Sequence, residues 1–272
     1  MCAVISVPVA GRECEVPVLD CPVNHPALPT LFDPMIPDHP ALWAVLKGRH
    51  TGRAMVDNVE HPTQCVLMTD AALTYSSRQI SQAFLHEAIN HFQKVGPIWL
   101  IWQPVLSAHN FAPQADEVVE RLGFYDYDPH SAVLTDLRQR LPAGFELCPI
   151  DQQLIERCEW RSDMEFYCGS LDNFLMNGLG LCMMQGEEII VEAYASSFGD
   201  VHAEIGAVTR AAYRGHGYAP IACAFLIQAC EQRGYHACWS CDADNLASIR
   251  VARKLGFQQE QAYQVLEYRH LT

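Results

Sequence analysis

The stretch His202–Pro220, HAEIGAVTRAAYRGHGYAP, decides how the rest of the chain is read. Its first part alternates as a strand does: His202, Glu204 and Gly206 fall on one face, and Ala203, Ile205 and Ala207 on the other. Its second part, Arg214-Gly215-His216-Gly217-Tyr218-Ala219, is a glycine loop that opens a helix predicted over Gly217–Arg233 and closed by Gly234. Pro220 in the first turn removes no helical hydrogen bond, which fits that start. Glycines let backbone approach a bulky anion without Cβ clashes, and the unpaired N–H groups of a first helical turn point at such an anion with the helix dipole behind them. Arg214 adds a fixed positive charge suited to a phosphate oxygen. The order of strand, glycine loop and helix therefore fits a pyrophosphate cradle, with a plain strand-to-helix turn as the alternative.

Working outward, the second half begins afresh after Arg138–Gly144, a stretch holding Pro142 and Gly144 that reads as a boundary. Helices are predicted over Asp151–Arg161, from Ser170 through Met176 and over Leu246–Leu255, the last stopped by Gly256. Strands are predicted at Leu181–Met184, Ile189–Ser197, His202–Thr209, Ala237–Cys241 and Ala262–Tyr268. In the first half, strands at Cys65–Thr69, Ile98–Trp102 and Ala132–Asp136 accompany helices over Ser76–Val95 and Pro113–Leu122, the latter ended by Gly123. Eight prolines before residue 41 make residues 1–40 an extended arm with at most edge strands. The predicted organisation is this arm, an α/β domain over 41–140, and a second domain over 145–272.

Half of the 272 residues are hydrophobic, enough for a sizeable core. With 18 Lys+Arg against 32 Asp+Glu the net charge is −14, which disfavours nucleic acid and anionic membrane and favours cationic solutes. No basic n-region or long apolar run stands out, so a cytoplasmic protein without a membrane span is expected. Its twelve cysteines are then reduced and packed as small hydrophobes. Cys238-Trp239-Ser240-Cys241 has redox or zinc spacing, but no second ligand pair accompanies it and its cysteines point to opposite faces of a strand, so no metal is expected.

Arg214, Gly217 and Ala219 match R/Q-x-x-G-x-G/A, and the chain thereby resembles the GNAT superfamily of N-acetyltransferases. Asn245-Leu246-Ala247-Ser248, followed by Leu255-Gly256-Phe257, resembles the family's N-x-x-S/A segment ending in L-G-F. Looser matches at Gly52–Asp57, Pro62, Asn173–Leu175, Gly178–Cys182 and Trp239–Cys241 are similar to the zwittermicin-resistance-type branch. The resemblance implies an α/β (α+β) GNAT fold, a mixed central sheet flanked by helices, with acetyl-CoA as co-substrate. It places the pyrophosphate on Arg214, Gly215, His216, Gly217, Tyr218 and Ala219. Asn245 and Ser248 stand beside the cofactor, and a backbone N–H within Ala207, Val208 and Thr209 polarises the thioester carbonyl.

Acetyl transfer to an amine also needs a base and a proton donor. Many relatives carry a glutamate on the strand before the loop, so Glu204 is the first candidate base. Glu192, which shares a strand face with Tyr194 and Ser196, is the second. The family's usual tyrosine, seven residues after the asparagine, is Ala252 here, leaving Tyr194 and Tyr218 as candidate donors. The expected function is acetyl transfer to a small-molecule amine, and the alternative is a non-catalytic acyl-CoA-binding module. A homodimer is left open. Leu122-Gly123-Phe124 echoes Leu255-Gly256-Phe257, and Thr74–Gln79 stands where a glycine loop would be but has no glycine. The first half is therefore expected to be a degenerate GNAT-like copy, with one cofactor bound per chain.

Overall fold

The computed structural model describes residues 16–103, 111 and 113–271. The first half runs β1 (Leu19–Cys21), α1 (Leu28–Leu31), α2 (His39–Leu46), β2 (Gly52–Val56), β3 (Cys65–Thr69), β4 (Leu73–Ser76), α3 (Gln82–Gln93), β5 (Ile98–Trp102) and β6 (Glu117–Tyr125), with α4 (Ala132–Gln139) leading onward. The second runs β7 (Phe145–Pro149), α5 (Arg161–Cys168), α6 (Leu171–Asn177), β8 (Leu179–Gln185), β9 (Glu188–Phe198), β10 (His202–Thr209), α7 (Tyr218–Gln232), β11 (His236–Asp242), α8 (Leu246–Leu255) and β12 (Gln259–Tyr268). None of the described helices is long and apolar enough to cross a membrane.

All twelve strands join one mixed sheet in the order β1-β2-β3-β4-β5-β12-β6-β11-β10-β9-β8-β7. Each half contributes three antiparallel pairings and then one parallel pairing, β4 with β5 and β10 with β11. The last strands are exchanged. The β12 strand pairs with β5, the β6 strand pairs with β11, and β6 and β12 pair with each other over nine residue pairs. Helices α7 and α8 cover one region of the sheet with Leu226, Ile227, Ile249 and Leu255 in the core, while α3 buries Phe84, Leu85, Ile89 and Phe92 against β3 and β5.

Several predicted elements differ. Pro113–Leu122 was expected as a helix, but Glu117–Tyr125 is a strand paired on both sides, with Gly123 inside it rather than at a helix end. Val118, Val119 and Leu122 fit both helical spacing and a β-branched strand, and the two neighbouring strands settle the choice. Ala132–Asp136, expected as a strand, is the start of α4. Ser131 caps it by accepting from the Leu134 N–H, and Leu134 and Leu137 point inward. The LGF echo therefore pairs unlike elements, since the topological counterpart of β12 is β6. Helix α3 starts at the Ser81 cap and not at Ser76, which lies in β4. Asp151–Arg161 is not one helix but a 3₁₀ turn at Ile155–Arg157 followed by α5. The described part of the proline-rich arm holds an edge strand, a helical turn and the start of α2.

Because β6 separates β11 from β12, neither half completes its own sheet. Residues 145–272 expressed alone should fail to unfold cooperatively, whereas co-expression with residues 1–144 should restore a native complex. Near-UV circular dichroism and gel filtration check this, and an isolated second half with the thermal midpoint of the whole chain would refute it.

Candidate active site

The site grows from a fork in the sheet. β10 and β11 pair only at His202–Glu204 with His236–Cys238, and beyond that the two strands diverge. On its other side β10 stays paired with β9 to Thr209, and the Arg210 N–H donates to the Ile190 carbonyl at 3.0 Å. Antiparallel alternation from that bond turns the Gly206 and Val208 N–H groups toward β9, so those of Ala207 and Thr209 face the opened edge. Of the three positions within which one backbone donor is expected, Val208 has its N–H taken by the sheet.

At the end of the fork the chain turns through Ala211–Tyr213 into the glycine loop. Gly215 and Gly217 both have left-handed backbone, with φ of 83° and 80°, and Gly217 is the N-cap of α7 without any side-chain capping bond. A Cβ built on Gly217 would meet no protein atom within 4 Å, so the loop borders open space beside uncapped N–H groups. Arg214 is exposed, and its Nε donates to the Thr209 carbonyl at 3.1 Å, which ties the guanidinium to the end of β10. His216 stacks on Tyr218, and Tyr218 packs on Phe145, so this tyrosine serves the loop as a packed aromatic and is absent from the cavity lining. The loop as built fits a pyrophosphate. Asn245 caps α8 by accepting from the Ser248 N–H at 3.0 Å, while the Ser248 hydroxyl accepts from Trp239 Nε1.

The fork leads to a cavity of about 680 Å³, bordered by Glu204, Ile205 and Gly206 on one prong and Ser240 and Asp242 on the other. Glu204 is the acid expected there. Burial and the nearby Asp38 charge raise its carboxyl to about 7, against the lowering pull of Cys238, Ser240 and Arg121. The Cys238 thiol donates to Glu204 Oε2 at 3.1 Å, and burial beside that carboxylate pushes the thiol well up, so it stays protonated. A β-bulge at Glu204/Ile205 gives β9 an extra residue, which explains how consecutive Ser196 and Ser197 both line the cavity. Tyr194 lines it too, packed edge-on to Trp160 at 5.8 Å, and burial pushes its hydroxyl far up.

Glu192 has a different position from the one expected. Its carboxylate, 1% exposed, accepts from the backbone N–H groups of Glu159 at 2.6 Å and Trp160 at 2.9 Å and pairs with Arg210 at 3.2 Å. It does not line the cavity. Instead it breaks the predicted Asp151–Arg161 helix by taking those N–H groups, and it fixes Trp160 over Gly206. Ala252 is fully buried in the core.

Other cavity residues lie outside the motif-bearing segments. Arg121 on β6 donates to Tyr263 at 2.9 Å, Asp242 at 2.7 Å and Ser240 at 3.1 Å. Burial opposes its charge, but Tyr263, Asp38 and Asp242 outweigh that and keep it charged. Asp38, Trp99, Tyr167 and Trp160 complete the wall. The proline-flanked Pro37-Asp38-His39-Pro40 was the only local signal for Asp38.

A family model described as GNAT acetyltransferase matches residues 30–266. The uncharacterized N-acetyltransferase YdfB of Bacillus subtilis (strain 168) is 30% identical over 147 residues, which are 53% of this chain and 55% of that protein. The match thus spans about half the length of this curated relative. A GCN5-related N-acetyltransferase-like protein from Streptococcus suis 89/1591 superposes with a TM-score of 0.59 at 24% identity, over 84% of this chain and 92% of that one. A tandem GNAT protein from the clavulanic acid biosynthesis pathway gives 0.53 at 12% identity, over 84% and 86%. At these identities the likeness establishes the shared fold.

Replacing Glu192 should destabilise the protein whatever its activity. Glu192→Ala leaves the Glu159 and Trp160 N–H groups without their acceptor and takes from Arg210 its buried partner, though Arg210 keeps the Arg157 carbonyl and Glu159, and breaking such a part-buried charge cluster costs about 2 kcal/mol. Urea denaturation measures it, and a loss below about 0.5 kcal/mol would contradict the assignment.

Proposed function

The chain belongs to the GNAT acetyltransferase family, and from that premise we propose that it transfers acetyl from acetyl-CoA to an amine of a small molecule, with Glu204 as general base. The observation that carries this reading is the placing of Glu204. It sits where β10 and β11 begin to diverge, on one wall of the cavity, and on the strand that leads into a glycine loop whose N–H groups are uncapped. The looser sequence matches to the zwittermicin-resistance-type branch are compatible with a small-molecule acceptor.

In this mechanism Arg214, Gly215, His216, Gly217, Tyr218 and Ala219 hold the pyrophosphate, and the Ala207 and Thr209 N–H groups line the path of the thioester arm. Glu204 removes one proton from the bound ammonium, directly or through water, and frees the nitrogen lone pair. That nitrogen forms the new C–N bond at the thioester carbonyl, the C–S bond breaks with its electron pair leaving on sulfur, and the nitrogen gives up its second proton to the group or water that protonates the thiolate. Tyr194, whose hydroxyl keeps its proton, or water then protonates the sulfur.

Two measurements test the reading. At about a hundredfold excess over its dissociation constant, acetyl-CoA should stabilise the wild type by about 2.7 kcal/mol. Gly217→Asp, which sets a carboxylate against the pyrophosphate, should abolish that shift, and an unchanged shift would remove the loop from the site. The pH profile tests Glu204. With its carboxyl raised to about 7, wild-type kcat/KM should rise with pH and level off near that value, as the base becomes ionised. Glu204→Gln should keep rising toward the amine's own pKa. The mutant's deficit is then largest and constant below about 7 and shrinks above it. A mutant profile that keeps the wild-type plateau would transfer the role to another group, and release of CoA with no amine in a mixed panel would favour a non-catalytic module.

A further inference from the structure

Asp38 has no part in the transfer chemistry above, yet its setting is costly. Its side chain is 8% exposed and it lines the cavity, but Oδ1 has no hydrogen-bond partner among the described residues. Oδ2 accepts from the Tyr263 hydroxyl at 2.7 Å. The backbone lies in the left-handed region at φ 53°, a strained place for a residue with a side chain. The Tyr75 hydroxyl holds it there by donating to the Asp38 carbonyl at 2.8 Å. A buried carboxylate oxygen without a donor is destabilising, so a group kept this way against strain points to a missing partner.

The chemistry of that partner follows from the neighbours. Asp38 and Glu204 are close enough that the Asp38 charge, after burial, is the next cause raising the Glu204 carboxyl. The hydrogen bonds of Arg121 go to Tyr263, Asp242 and Ser240 rather than to either carboxylate. The whole lining carries five carboxylates against two guanidinium groups, and one of those, Arg49, is tied to the carbonyls of Phe198 and Gly199. A cation with several N–H donors would supply the partner that Asp38 Oδ1 lacks, in the cavity that Glu204 also lines. The apolar part of the lining is partly aromatic and comes from both halves. Trp99 on β5 meets Phe166 on α5 with ring centroids 6.1 Å apart, and Phe166 is left 44% exposed. Such rings, set edge to face, suit contact with an aromatic body and also favour a nearby cation.

We propose that Asp38 from the first half and Glu204 from the second together bind the acceptor's ammonium, and that the acceptor is a primary amine on an aromatic body lying against Trp99 and Phe166. The part given to Glu204 rests on the acetyl-transfer reading, whereas the binding of the cation does not. Asp38 here is a substrate-binding residue: it selects a charged amine, and Glu204 then takes the proton.

Calorimetric titration of the full chain, with and without saturating CoA, tests this with 2-phenylethylamine, n-butylamine and 3-phenylpropanoate. The wild type should bind 2-phenylethylamine at least tenfold more tightly than either of the others. Asp38→Asn keeps the shape and an acceptor for Tyr263, and it should weaken both amines at least tenfold while leaving acetyl-CoA affinity unchanged. Trp99→Ala should weaken 2-phenylethylamine and spare n-butylamine. Equal wild-type affinity for n-butylamine or for the carboxylate overturns the proposal without any variant, so it stays testable even if Asp38→Asn fails to fold. A change under twofold in folded Asp38→Asn overturns it as well. Failure of the acetyl-transfer reading shows separately, as absence of acetyl-CoA binding by the wild type.

Discussion

The antiparallel pairing of β6 with β12, from Glu117 opposite Glu267 to Tyr125 opposite Gln259, is the constraint on which the rest of the molecule depends. Each strand is the last of its half, and each lies between its partner and the other half's parallel pair. A slip of one residue would turn every side chain on these strands to the opposite face of the sheet. In the observed register Arg121 and Tyr263 are direct cross-strand partners, and Arg121 also stands opposite Asp242 on β11. The cavity wall is thereby an outcome of register: three strands from two halves bring one guanidinium, one phenol and one carboxylate together.

That wall is polar in a place where polarity is costly. Asp38, Tyr263, Arg121 and Asp242 form a chain of bonds across the sheet, from a fully buried phenol to a half-exposed carboxylate. Such a network contributes little net stability, because desolvation offsets attraction, but breaking one member leaves the others unpaired. Its value is geometric. It fixes Arg121 beside Glu204 at a distance where the positive charge moderates, without cancelling, the rise that burial and Asp38 impose on the Glu204 carboxyl. A carboxyl held near neutrality can exchange a proton with an amine in either direction, which a fully ionised surface glutamate does poorly.

What the sequence revealed and what it hid divide along contact distance. The glycine loop was legible because positive φ at Gly215 and Gly217 is a local demand that glycine meets at no steric cost. Glu204 was singled out by the resemblance, which implies a glutamate on this strand, while alternation added only the face it shares with His202 and Gly206. Glu192 looked equivalent by the same alternation, but its partners Glu159 and Trp160 lie more than thirty residues away, and only tertiary contact reveals that its oxygens are already taken. Arg121 was hidden for a similar reason, since its segment read as a helix until the pairing with β11 and β12 made it a strand. Asp38 bonds a tyrosine 225 positions away, and no periodicity encodes such a contact. The repeat between halves was visible in outline, yet the LGF echo chosen to anchor it joined a strand to a helix end.

The two halves differ most sharply at equivalent helix starts. Helix α3 follows β4 as α7 follows β10, and both follow the outer strand of a parallel pair. At α3 the first turn is satisfied from within: Ser81 accepts from the Phe84 N–H at 3.2 Å, and Gln64 accepts from the Ser81 N–H at 2.6 Å. At α7 no side chain caps Gly217. A capped N-terminus stabilises its helix by about 1 kcal/mol, and an uncapped one keeps its donors free for an anion. One half has therefore closed the position that the other leaves open. The half with the capped helix start supplies Asp38, Arg121 and Trp99 to the cavity, so the lining is drawn from both halves.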